Sequence, residues 1–331
     1  MRPDNQTPEI EQISGSGANA IVAEPLQVGA EPPTTRIAAR SPGQIAWSRL
    51  REDRVALAGA VFIVLLVIFA LAAPLVASLT GHQKDDQDTV LGLDDNGLPL
   101  GPLVNGYVVG SDQLGRDLLV RAAYGARTSL IIGVTATFLT LAVSLIAGIV
   151  AGYFGGWVDG GISRVIDVIA AFPFLLFAIA MSKVLGASLP TVIFVIAFFS
   201  WFYTARVFRS EILALREREF VEAARALGAS NMRIMTKHLF PHLIGSLIVY
   251  GTLTISASIG FEAALSFLGF GLPASYPSWG RMIADAVPGG RYHLAPMMMV
   301  VPGTLLFLTV LAFNLLGDGL RDAFDPRGGG R

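Results

Sequence analysis

The sequence predicts an all-α membrane protein with six transmembrane helices, and three observations carry that prediction. Hydrophobic residues make up 53% of the 331-residue chain and charged residues only 15%, where a soluble globular chain carries about 25%. Mean hydropathy is +0.59. The charges are also segregated, which leaves uncharged stretches at Val55–Leu79, Thr128–Trp157, Val184–Ala205, Leu243–Phe261 and Leu294–Gly317. Each reaches or approaches the roughly 20 residues that a helix needs to cross a hydrocarbon core about 30 Å thick. A sixth stretch, Ile162–Leu185, has Arg164 and Asp167 near its start and Lys183 near its end, where side chains can reach headgroup level.

Composition also excludes chemistry. There is no cysteine, and the four histidines, His82, His238, His242 and His293, are scattered, so thiolate metal sites, disulfides and Cys nucleophiles are ruled out and no metal site is expected. A net charge of −1 leaves no basic footprint, and no nucleic-acid partner is expected. Lys84, Lys183 and Lys237 follow Gln83, Ser182 and Thr236, so the Gly-Lys of a phosphate-binding P-loop is missing. No catalytic residue and no cofactor are expected on this chain.

The elements follow in order. Residues 1–40, with Pro3, Pro8, Pro25, Pro32 and Pro33 among Gly, Ser and Thr, lack periodicity and read as a disordered cytoplasmic tail. Ser41-Pro42 has the chemistry of a helix start and leads into an amphipathic interfacial helix over 41–54. The first transmembrane helix occupies 55–79. Met1–Ala20 has no apolar core, and the 55–79 stretch is too long for a secretory signal, so this span is expected to stay attached. Residues 80–127 form an acidic extracytoplasmic loop, where Asp95-Asn96-Gly97 and Val104-Asn105-Gly106 suggest short hairpins and the Gly110–Asp117 run reads as the cap of a helix over Leu118–Tyr124. A five-helix core spans 128–317, and 318–331 reads as a cytoplasmic C-terminal tail. From Arg40 onward, this topology places fifteen Lys and Arg residues on the side of the N-terminus and seven opposite. Lys and Arg favour the cytoplasmic side of short loops, so both termini are expected there.

The loop over 211–241 carries more pattern than a connector. Ile212, Leu215, Phe220, Ala224 and Leu227 fall mostly at helical spacing, with Arg216, Arg218, Glu219 and Arg225 elsewhere around the turn. Gly228 ends that helix, because the left-handed residue after a helix costs glycine little. Ser230 or Asn231 can cap a second short helix carrying Met232, Met235 and Leu239, closed by Pro241. Small Ala223 and Ala224 beside the glycine turn would let another backbone approach closely, as a docking knob requires.

The run Glu222-Ala223-Ala224, then Gly228, then His238-Leu239-Phe240-Pro241 resembles the EAA loop of ABC importer permeases, although that pattern usually has apolar residues such as Ile at the place of His238 and Leu at that of Phe240. The resemblance extends over about 41–327. Gly110-Ser111-Asp112-Gln113-Leu114-Gly115-Arg116-Asp117, Glu262-Ala263-Ala264-Leu265-Ser266-Phe267-Leu268-Gly269, Pro277-Ser278-Trp279-Gly280 and Gly317-Asp318-Gly319-Leu320-Arg321-Asp322 are similar to C-type permeases of dipeptide and oligopeptide importers. The resemblance implies a type I importer permease fold in a bacterial plasma (inner) membrane. It further implies a heterodimer with a B-type sibling permease, two ABC ATPase subunits that hold ATP and Mg, and an extracytoplasmic substrate-binding protein. Glu222, Ala223, Ala224, Gly228, Met232, His238 and Pro241 would then couple this chain to the ATPase. Related permeases serve nickel, glutathione or sugars, so peptide is an expectation within a wider range.

Two further features suit a moving transporter. Glu262 lies at the outer end of a span, where a carboxylate needs a partner, and is a candidate gate or subunit contact. Phe172-Pro173 interrupts a span, and a kink there would move during alternating access. The rival class is an ion-coupled secondary transporter or channel, in which ionisable residues sit near the midplane; here they flank the spans.

Overall fold

The computed structural model describes residues 42–325, so the tail expected over 1–40 lies outside the described residues. Helix α1, Pro42–Glu52, stops where Asp53 caps the next helix, its carboxylate accepting hydrogen bonds from the Val55 and Ala56 amides. The first expected span is in two pieces, α2 over Arg54–Leu71 and α3 over Ala73–Thr80. Pro74 sits in the first turn of α3 and withholds an amide from the continuing ladder, which explains the break at Ala72.

The central element is α4, Leu118–Phe154, 37 residues long and so about 55 Å from end to end. The short outer helix expected over Leu118–Tyr124 is simply its beginning, capped by Asp117, whose carboxylate accepts from the Leu119 and Val120 amides. Nothing between Gly125 and Thr128 removes a backbone donor, so the helix runs on. The 81–117 loop folds over this end. Its expected hairpins are isolated bridges, Leu93 with Pro99 and Val104 with Tyr107. Tyr107 is buried, stacks on His82 at 4.3 Å and donates to the Gly115 carbonyl at 3.0 Å. Burial and the neighbouring Asp88 push its phenol above the ordinary tyrosine range.

Helix α4 runs almost directly into α5, Gly156–Ala170, which is followed by α6, Phe174–Leu185. The sixth expected span is therefore a broken pair, bent by 83° at Ala171–Pro173. Pro173 lacks an amide and biases Phe172 away from helical geometry. Helix α7, Leu189–Leu215, packs more extensively on α4 than any other helix does. Close approach needs small residues there: a Cβ at Gly148 would lie 2.9 Å from the Ala205 carbonyl oxygen. Ser144 Oγ bonds the Trp201 carbonyl at 2.7 Å across the same seam.

Helix α8, Glu219–Ala226, and the short α9, Asn231–Arg233, precede α10, Ile244–Phe267, α11, Trp279–Ala286, α12, Arg291–Leu294, and α13, Met297–Phe324. Among the described residues, five helical segments are long and apolar enough to cross a membrane, six with the bent pair. The first six residues of the tail expected over 318–331, and Phe324 after them, belong to α13, because Gly319 and Ala323 are buried against α1 and α2. At the opposite end, α11 is pinned into the bundle by Trp279, fully buried, whose Nε1 donates to the Ala122 carbonyl of α4 at 3.2 Å.

Candidate functional site

The end of α4 remote from the 81–117 loop carries a projecting knob built from α8 and the chain on either side. Val221 and Ala224 on one face of α8 are buried against Ile149 and Tyr153 of α4, Ile212 of α7, and Ile234, Met235 and Leu239 that follow α9. Burial of this face fixes the orientation of the helix. Polar anchors flank it. Tyr153 Oη and Asn231 Oδ1 are 2.8 Å apart, Arg225 lies 5.5 Å over the Tyr153 ring, and Arg216 donates to the Gly152 carbonyl at 3.1 Å. Arg209 grips Asp159 through both oxygens, with Nη2 at 2.6 Å from Oδ2, and so ties α7 to α5 below the knob.

Gly228 turns the chain at φ +80°. Its amide donates to Arg225 O at 2.9 Å and the Ala229 amide donates to Ala224 O at 3.0 Å, the two bonds of a Schellman stop. Ser230 then caps the next helix, accepting from the Arg233 amide at 3.4 Å. The second helix is not closed by Pro241, as expected, but is continuous with the fifth span. Residues Ile234–Leu239 form a π-helical stretch and Phe240–Leu243 a 3-10 turn before α10 begins. A π-bulge loosens the i to i−4 ladder, and the Pro241 position in the first 3-10 turn is one where an amide is not needed. His242 Nδ1 reaches the His238 carbonyl at 2.8 Å, and the His242 ring stacks on Phe220 at 5.0 Å.

These contacts divide the expected coupling residues. Glu222, Ala223, Gly228 and Met232 lie on the exposed face of the knob. Ala224 does not: it is 7% exposed and packs inward, so only Ala223 leaves room for another backbone. His238 and Pro241 sit at the root, where the π and 3-10 turns join α10. Leu227, one of the apolar residues at helical spacing, is 88% exposed, and Met232 and Phe220 are exposed as well, at 66% and 37%. Beyond Met232, the sequence offered no sign that these side chains form the outer apolar surface. The knob thus exposes apolar Leu227 and Met232 together with charged Glu219, Glu222, Arg218 and Arg233.

The two gate candidates part company. Phe172 and Pro173 are exposed at the 83° bend, and Phe172 meets Phe177 edge-on at 6.1 Å, at the border of an aromatic group with Phe174, Phe198 and Phe199. Glu262 is wholly buried within its own chain, which removes it from any subunit contact. Its carboxylate accepts from Ser266 Oγ at 2.7 Å and Ser129 Oγ at 3.4 Å, a strut between α10 and α4 that satisfies a buried polar group.

Sequence comparison relates the chain to known transport proteins. Residues 144–328 match the family described as "Binding-protein-dependent transport system inner membrane component", and residues 41–94 match the "N-terminal TM domain of oligopeptide transport permease C". The glutathione transport system permease protein GsiD of Escherichia coli O157:H7 is 41% identical over 288 residues, 87% of this chain and 91% of that protein, and so is GsiD of Shigella sonnei (strain Ss046). Among solved structures, an inward-facing MetNI methionine ABC transporter chain aligns with 61% of this chain and 94% of its own at 20% identity and TM-score 0.48. The chain belongs to the binding-protein-dependent transport system inner membrane component family, as an importer permease of the oligopeptide C type.

Proposed function

We propose that this permease moves di- or oligopeptides, glutathione included, across the membrane by alternating access, with the knob over residues 211–241 as its mechanical input. The substrate reading is supported by the 41% identity to permeases named for glutathione transport and by the match to an oligopeptide permease domain. The single observation that carries the mechanical reading is the geometry of the knob. Its inner face is locked to α4 and α7, while Leu227 and Met232 stand out at 88% and 66% exposure. A rigid protrusion of this kind transmits a push from a docked partner into the spans.

The partners are a sibling B-type permease, two ABC ATPase subunits and an extracytoplasmic binding protein that delivers the peptide. Both termini and the knob face the cytoplasm. ATP and Mg reside on the ATPase subunits, and ATP binding favours one arrangement of the pair; this difference in affinity between two states is what drives the switch. Substrate passes between this chain and its sibling. The ATPase subunits hydrolyse; this chain contributes none of the hydrolytic groups.

Gentle detergent extraction of the tagged chain tests the assembly. Recovery of a sibling permease and Walker-bearing ATPases is expected, with loss of the ATPases and of peptide uptake in Glu222→Lys and Leu227→Asp variants that still retain the sibling. Transport by the isolated chain, or ATPase retention in both variants, would overturn the reading.

A further inference from the structure

The ending Gly317-Asp318-Gly319-Leu320-Arg321-Asp322 has no part in the knob, yet Arg321 within it lines a cleft. That cleft, about 280 Å³ in volume, lies between α7, α10 and α13 and is also bounded by Glu211, Ser246, Tyr250, Phe324 and Asp325. Its two unmatched charges have opposite sign. Glu211 is half-buried and accepts one hydrogen bond, from Ser246 Oγ at 2.9 Å, and it forms no ion pair with a described residue. Arg321 is exposed and likewise forms no ion pair with a described residue. Tyr250 lines the same cleft. The third charged residue, Asp325, has its carbonyl engaged by Arg49 Nη1 at 2.7 Å.

A carboxylate taken partly out of water is costly without a cation beside it, and a guanidinium offers a planar fork that matches an anionic carboxylate. A small ligand carrying both an ammonium and a carboxylate satisfies the two at once. We propose that this cleft is a transient site for the free termini of the transported peptide on its way past the knob end of the bundle. Glu211 accepts hydrogen bonds from the α-ammonium and Arg321 takes the α-carboxylate, while Tyr250 and Phe324 supply apolar walls. The span of a short peptide suits a cleft of this size, so the site favours peptides of two or three residues over longer ones. This inference deepens the peptide reading above and rests on it.

The test uses the assembled complex, without its binding protein, in nanodiscs of phosphatidylcholine and phosphatidylglycerol, with radiolabelled trialanine as the probe. On the wild-type complex, N-acetylation or C-amidation of the probe is each expected to weaken binding about tenfold or more, the usual scale for a charge-assisted hydrogen bond. Glu211→Gln is expected to weaken the free peptide by the same factor and leave the N-acetylated one unchanged; Arg321→Gln is expected to do the same with respect to the amide. Losses that are equal for free and blocked peptides would overturn the site, as would no loss at all. The blocked-peptide comparison needs no variant, so a variant that fails to assemble leaves the question open to measurement. Competition by phosphatidylethanolamine added to the discs, with the variants losing that lipid and not trialanine, would assign the cleft to a lipid headgroup and overturn the proposal. Peptide uptake by the wild-type complex with its binding protein is measured in parallel: uptake without cleft binding sinks this inference alone, and failure of both sinks the peptide reading.

Discussion

The Tyr153 hydroxyl lies 2.8 Å from Asn231 Oδ1, joining the last turn of α4 to the helix that follows the glycine turn of the knob. The two residues are 78 positions apart in sequence, and the same ring carries the Arg225 guanidinium on its face. One aromatic side chain therefore holds both arms of the knob against the longest span.

Tyr153→Phe keeps the ring and its cation–π contact and deletes the hydrogen bond. A net cost of about 1 kcal/mol is expected in stability, too little to prevent assembly. The expected effect is on coupling: basal ATPase activity of the complex persists while substrate-stimulated uptake per ATP falls severalfold. Unchanged stoichiometry would show that the α4 contact does not transmit the stroke. Tyr153→Ala, which also removes the Arg225 contact, is expected to fall further.

Gly228 sets the knob's turn at φ +80°, and beyond its chain neighbours nothing lies within 4 Å of where a Cβ would sit. The obstacle to any side chain there is the backbone conformation alone. Gly228→Ala is expected to cost about 1–2 kcal/mol locally, and Gly228→Val more, because a β-branched residue tolerates this region worst. Uptake should fall in the order Gly, Ala, Val while the amount of chain in the membrane stays level. Equal uptake by all three would mean that the turn is not held in this geometry during transport.

That position was legible in the sequence because its cause is local: a helix of apolar spacing, a glycine, and a capping Ser230 two residues further on. The spans were legible for the same reason, since gaps between charges are a property of the chain itself. Pro241 was misread because a proline ends a helix only where nothing relieves the missing donor, and here a π-stretch and the His242 ring do so. Glu262 was read as a carboxylate in need of a partner, but one of its partners, Ser129, lies 133 residues away, so no local pattern could name it. Leu227 shares the helical spacing of the buried Ala224, but periodicity does not say that the last apolar residue before the stop has passed the edge of the packed face. The 83° bend was half-read: Phe172-Pro173 marked the place, but its size depends on where α6 packs.

Trp279 should be the main support of the opposite end. Trp279→Ala removes a fully buried side chain and is expected to cost about 3–5 kcal/mol, seen as a marked fall in the melting temperature of the detergent-solubilised complex. Trp279→Phe keeps an aromatic ring but loses the bond to the Ala122 carbonyl and part of the buried ring volume, so a smaller cost of about 1–3 kcal/mol is expected. Similar melting temperatures for both variants and wild type would show that α11 is not anchored at this point.

Orientation can be read without background labelling, because the chain contains no cysteine. Asp94 lies on the loop at the start of α4 and is exposed, and Ser230 is exposed on the knob at the far end. Since α4 is about 55 Å long, the two positions must be on opposite sides of a membrane that α4 crosses. With the knob in the cytoplasm, Asp94→Cys reacts with an impermeant maleimide on intact cells and Ser230→Cys reacts only after permeabilisation. The reverse pattern would put the knob outside, where no ATP-driven partner could reach it, and the coupling mechanism would fall with the topology. Labelling of both from one side would deny that α4 crosses at all, and with it the assignment of the longest helix in the bundle as a span.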